Sequence, residues 1–130
     1  MKKLTMILLT AGWLTLGAAT ATAQTATAPK SVIHVVTVSW KAGTTPEQIK
    51  AALDGVQALP AQFKGLTHVW TRSIKVQNPR GATETRTHAF VMEFADEASF
   101  KAYTDSPAQK EWYKTYLPIR QESTTFDITN

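Results

Sequence analysis

Residues 32–40, Val-Ile-His-Val-Val-Thr-Val-Ser-Trp, are β-branched or apolar at both alternating parities, the pattern of a central strand covered on both faces. Lys41-Ala42-Gly43-Thr44 reads as the turn out of it. Thr45-Pro46-Glu47-Gln48 predicts a helix start. Thr can accept from the free backbone N–H groups of the first turn, Pro presets φ where no donor is needed, and Gln can reach back to the cap. Ile49, Ala52, Leu53, Val56 and Leu59 follow at helical spacing, so one stripe of the helix lies on a sheet, and Pro60 is expected to end it.

The next apolar run, residues 66–74, predicts a second strand; Gln77-Asn78-Pro79-Arg80-Gly81 a turn; and residues 87–94 a third strand. Asp96 is placed to cap a second helix carrying Phe100 and Tyr103, and Ser106-Pro107-Ala108-Gln109 repeats the start signal for a third, with Trp112, Tyr113 and Tyr116. Pro118 closes that helix, and residues 124–128 form a last strand. The order β-α-β-β-α-α-β predicts an α+β fold: a ferredoxin-like four-stranded sheet with helices on one face. Strands one and three are expected as a parallel central pair.

Parity divides the sheet's two faces. Val36, Val38 and Trp40 with Phe90, Met92 and Phe94 are bulky enough for the helix-covered core, which turns Ile33, Val35, Thr37 and Ser39 with Ala89, Val91 and Glu93 outward. A face so rich in branched apolar groups calls for cover, and a second copy of the chain, a homodimer, is the economical one.

The N-terminus changes the picture of where the protein works. Lys2 and Lys3, the apolar run 6–16 and Ala21-Thr22-Ala23 before Gln24 have the order of a signal peptide. Residues 1–23 are therefore expected to be removed, residues 24–30 to form a flexible Thr/Ala-rich lead-in, and residues 31–130 to form one domain, periplasmic or secreted. Two of the fourteen Lys and Arg leave with the signal, so twelve basic side chains face ten acidic ones. That balance, with no basic cluster interleaved with aromatics, gives nucleic-acid binding no support. No later segment is long and apolar enough for a membrane span. The chain has no Cys; with no closely spaced His pair or acidic cluster either, neither a disulfide framework nor a metal site is expected. No cofactor fingerprint is present.

His34 and His88 share the core-facing parity near the starts of their strands, and on parallel neighbours both imidazoles would approach one end of the space between sheet and helices, with Tyr103 in reach. Such a trio can shuttle a proton, imidazole as base and phenol as donor to a developing oxyanion. The favoured reading of the two histidines is nevertheless as satisfied polar groups in or beside the core, and of Tyr103 as a helix residue that packs its ring and wets its hydroxyl. His68, beside Val69 and Trp70, reads as an edge-strand residue, and Trp40, Trp70 and Trp112 as core or pocket wall.

The strand at His34-Val35-Val36, the strand His88-Ala89-Phe90-Val91-Met92-Glu93-Phe94, the helix from Asp96 to Tyr103, and Ser106-Pro107-Ala108-Gln109 followed by Trp112 resemble, in order and spacing, the stress-responsive A/B barrel (Dabb) family. The resemblance covers the chain after the lead-in. It implies subunits that pair sheet to sheet into a dimeric α+β barrel, and, by the family's name, a stress response. In a plant polyketide cyclase of the family an aldol cyclisation is attributed to histidines and a tyrosine, which the resemblance carries onto His34, His88 and Tyr103. Its catalytic histidine, however, falls where this chain has Gln109, whose amide can hydrogen-bond a carbonyl but cannot serve as a base.

The leading expectation is therefore an exported homodimer that holds a small apolar or aromatic molecule between sheet and helices. His34, His88, Tyr103 and Gln109 are expected to converge on one pocket beside Phe90 and Trp112, without established catalysis. The alternatives are a cofactor-free cyclase or isomerase, or a monooxygenase-like enzyme, using His34, His88 and Tyr103, and a purely structural assembly unit.

Overall fold

The structure, a computed structural model, describes residues 30–77 and 85–129. The signal segment 1–23, most of the lead-in and nearly all of the turn at 77–81 lie outside the described residues. Within them run β1 (Val32–Trp40), α1 (Pro46–Gln57), α2 (Leu59–Gln62), β2 (Leu66–Ser73), β3 (His88–Phe94), α3 (Glu97–Tyr103), α4 (Pro107–Tyr116) and β4 (Arg120–Ile128). The strands form one four-stranded sheet in the order β2-β3-β1-β4. This is the ferredoxin-like arrangement.

Local chemistry starts each helix. At α1 the Thr45 hydroxyl accepts from the Gln48 N–H while the Gln48 side chain accepts from the Thr45 N–H, which satisfies two donors the helix cannot. Asp96 accepts from Ser99 N–H at 2.7 Å to open α3, and Ser106 accepts from Gln109 N–H to open α4. Pro60 does not end α1. The helix stops at Gln57 with Ala58 as its cap, and Pro60 lies in the first turn of α2, where its missing N–H costs nothing.

Both neighbours of β1 are antiparallel to it, with Val35 opposite Val91 of β3 and opposite Phe126 of β4. The expectation of a parallel β1–β3 pair is thus corrected. The helical crossover makes β2 run with β1, and the hairpin to β3 then reverses the chain, so β3 must oppose both. β4 also begins at Arg120 rather than 124. Its first residues pair with the end of β1 across a bulge at Ser39/Trp40, and this edge pairing is made by backbone groups, so the polar side chains of residues 120–123 hide it from a hydrophobic pattern.

The core lies between the sheet and α1 to α4. Val32, Val36 and Val38 of β1 and Phe90, Met92 and Phe94 of β3 meet Ala52, Val56, Leu59, Tyr103, Trp112 and Tyr116 from the helices. The expected parity is therefore the one observed. On the opposite face a row crosses the whole sheet, Trp70–Val91–Val35–Phe126, and Trp70, Phe126 and Ile128 are 43%, 56% and 60% exposed. No helix among the described residues is long and apolar enough to cross a membrane.

Candidate functional site

A cavity of about 240 Å³ opens between the sheet and the α3–α4 pair. Its apolar wall exists because α4 presents Trp112 and Tyr116 four residues apart to Phe90 on β3. The two α4 rings stack at 4.6 Å and 10°, and Phe90 meets both edge-on at 5.4 and 5.7 Å. Trp112 is anchored from behind by its indole N–H, which donates to the Ala52 carbonyl of α1 at 2.9 Å. A rigid aromatic wall results, since the ring is fixed by packing and by a hydrogen bond together.

His34 enters from β1. Its register partner on β4 is Asp127, and its Nδ1 lies 2.5 Å from the Asp127 Oδ1, while Phe100 flanks the ring at 5.3 Å. A carboxylate on Nδ1 makes that nitrogen the protonated one and leaves Nε2 as the free lone pair. Across the cavity stands Tyr103, 3% exposed, the last residue of α3. Its ring is held by Phe63 and Phe94 at 5.6 and 5.2 Å, yet its hydroxyl is buried without a hydrogen-bond partner. Burial, and secondarily the neighbouring Tyr113, hold this phenol far above the usual tyrosine range, so it is a hydroxyl donor at any physiological pH.

Gln109 reaches the cavity through the α3–α4 junction. Asp105 sits there at φ 63, a left-handed conformation that Asp tolerates better than most residues, and the chain turns sharply into Ser106. The Asp105 N–H donates to the Gln109 Oε1 at 2.8 Å. Only the oxygen end of the amide can accept that bond, so the NH2 group is the part left for the cavity.

Five of the six residues singled out in the sequence, His34, Phe90, Tyr103, Gln109 and Trp112, line this cavity. His88 does not, and its expected convergence with His34 is corrected. Antiparallel pairing sets His34 opposite Met92 and His88 opposite Val38, four residues or about 13 Å apart along the strands. Both histidines face the helices, but from opposite ends. His88 Nδ1 accepts from the Trp40 indole N–H at 2.9 Å. Desolvation by burial lowers its pKa, which keeps it neutral. It lines a separate, more open concavity against Ile49 and Leu53 of α1.

The sequence reading missed the contribution of β4. Arg120, Ser123 and Thr125 line the cavity, and Asp127 orients His34. The alternation Ser123, Thr125, Asp127 was the available signal, a polar set at one parity of a strand whose other parity carries Phe126 and Ile128. Among the described residues no group of three or more His, Cys, Asp or Glu is placed to hold a metal ion.

The fold and this walled cavity define a ferredoxin-like α+β domain with a polar-lined pocket between its sheet and helices. Residues 32–130 match the Stress responsive A/B Barrel Domain, Dabb, and the chain belongs to that family. Among curated proteins no sequence matches it. Three solved structures illustrate the likeness. A protein from Arabidopsis thaliana is 22% identical with a TM-score of 0.67, over 76% of this chain and 94% of its own. A dimeric ferredoxin-like protein of unknown function from Thermobifida fusca is 19% identical with a TM-score of 0.62, over 78% and 92%. The hydroxynitrile lyase of Passiflora edulis is 19% identical with a TM-score of 0.67, over 78% and 94%. At such identities the likeness is one of fold.

Proposed function

We propose that this protein is an exported homodimer that binds a small aromatic or apolar molecule with a polar substituent in the cavity between the sheet and α3–α4. The observation that carries the reading is the Tyr103 hydroxyl, buried without a partner at the edge of a cavity with fixed aromatic walls. An unpaired buried hydroxyl is a standing cost of about 1–3 kcal/mol, and a ligand acceptor is what removes it. The volume suits a single-ring molecule, since an apolar cavity of about 150 Å³ accepts benzene. Homodimerisation is supported by the uncovered row Trp70–Val91–Val35–Phe126 and by the dimeric state of the Thermobifida fusca protein. Export is supported by the order of charged, apolar and small residues in 1–23, and a role in stress rests on the family's description.

Native mass spectrometry of the protein purified from its own host tests the binding reading, with a retained small organic molecule as the expected result. An empty protein whose Trp fluorescence is also unmoved by millimolar single-ring aromatics would overturn it.

One observation favours a second reading, a cofactor-free proton-transfer enzyme. His34, held by Asp127 with Nε2 free, has the form of a general base, and Tyr103 with the Gln109 NH2 could receive developing negative charge on a carbonyl oxygen. Solvent-deuterium exchange at carbon next to the carbonyl of a bound ligand, abolished in His34→Ala, distinguishes this from binding alone.

A further inference from the structure

The charge in the cavity's lining is one-sided. Arg120 projects from the first residue of β4 with its guanidinium 5.6 Å over the Tyr116 ring, and among the described residues it has no carboxylate partner. Arg86, at the same end of β4, is by contrast paired with Glu122 at 2.8 Å. None of the described residues lining the cavity is acidic. Asp127 stands behind His34 with its Oδ1 engaged by the imidazole. The Gln109 carbonyl is likewise taken, by the Asp105 N–H. What faces the cavity is thus a positive and mainly donating set, the Arg120 guanidinium, the Tyr103 hydroxyl and the Gln109 NH2, beside the hydroxyls of Ser123 and Thr125, which donate or accept, and the His34 Nε2 lone pair, which accepts.

A guanidinium fork in a partly desolvated aromatic setting, with neutral hydrogen-bonding groups around it and no acidic residue in the lining, is complementary to a planar anion. Resting on the reading of this cavity as a ligand site, we propose that its occupant is a small aromatic carboxylate. The ring lies against Phe90 and Trp112, and the carboxylate is received by Arg120 together with the donors of Tyr103 and Gln109. The aromatic walls separate this ligand from a free inorganic anion, which would leave them wet.

The test compares acids with their own neutral isosteres. Benzoate, salicylate and phenylacetate, and the three corresponding amides, are titrated into the protein and followed by Trp fluorescence and calorimetry, with inorganic phosphate as a ring-free anion. At least one acid is expected to bind about tenfold or more tightly than its amide, the scale of one charge-assisted hydrogen bond. Phosphate is expected not to compete, and Arg120→Gln is expected to remove the preference while Arg120→Lys keeps part of it. Amides bound as well as acids overturn the carboxylate inference and leave the cavity reading standing, whereas failure of all six to bind overturns both. Phosphate competing as strongly as the best acid would make the site an anion site without the aromatic component, which also overturns the inference. The wild-type comparison of acid with amide decides the matter even where Arg120→Gln lowers stability.

Discussion

Replacing Tyr103 by Phe tests whether the cavity is maintained at the expense of stability. Phe keeps the ring and therefore its contacts with Phe63 and Phe94, and it deletes only a hydroxyl that is buried and unpartnered. Relief of an unsatisfied hydroxyl is worth about 1–3 kcal/mol, and the low end applies because the adjoining cavity can admit water. A gain of about 1 kcal/mol corresponds to a rise in Tm of roughly 4–8 °C for a domain of this size. The alkaline limb gives a second reading of the same group. Burial raises the Tyr103 pKa above its ordinary value of 10.0, so its contribution is complete below pH 10 and is lost as pH rises from there toward the higher folded value. Across that range the wild type should lose stability faster than Tyr103→Phe by one proton's worth, about 1.4 kcal/mol per pH unit. Thermal and urea unfolding at matched protein concentration, at pH 7 and from pH 10 upward, provide the assay, concentration being fixed because dimerisation shifts apparent stability. Ligand affinity should fall in the same variant. A loss of about 1 kcal/mol or more at pH 7 would refute the reasoning, because it would mean that the hydroxyl makes a hydrogen bond after all.

Three further outcomes are expected, two from the geometry and one from the N-terminal sequence. Val91→Asp places a carboxylate mid-row on the open sheet face, and light scattering should report monomer or unfolded material, at a cost of several kcal/mol to the interface; a stable dimer would put the interface elsewhere. His88→Ala should leave ligand affinity in the His34 cavity within about twofold, yet lower stability by about 1 kcal/mol as the Trp40 indole N–H loses its acceptor; a tenfold loss of affinity would tie His88 to the site. Intact mass of the exported product should begin at or within a few residues of Gln24, and full-length chain retained in the membrane fraction would make the N-terminal segment an anchor.

The elements and their faces were legible in the sequence because they depend on local chemistry and on period. The Thr45–Gln48 and Ser106–Gln109 cap signals, the helical stripe from Ile49 to Val56 and the alternation of Phe90, Met92 and Phe94 each act over a few residues, and each produced the element it announces. Gln109 shows where such reading stops. Its role in the cap is visible from its spacing to Ser106, but that its NH2 faces a cavity depends on the left-handed Asp105 and on the packing of α4 against the sheet.

Strand direction and the composition of the site belong to the tertiary structure. Parity alone put His34 and His88 on one face and could not say which ends of β1 and β3 adjoin, because side-chain alternation is the same for parallel and antiparallel neighbours. The chain's route, crossover and then hairpin, made them antiparallel and drew the two histidines apart. In place of His88, the pairing of β4 with β1 brought Asp127 to His34 and Arg120 to the cavity from about ninety residues along the chain. The sequence by itself determined the helices, the strands, their buried faces and the residues able to carry chemistry; register and strand order decided which of them meet, since contacts between distant segments are set by backbone pairing and packing that no local pattern encodes.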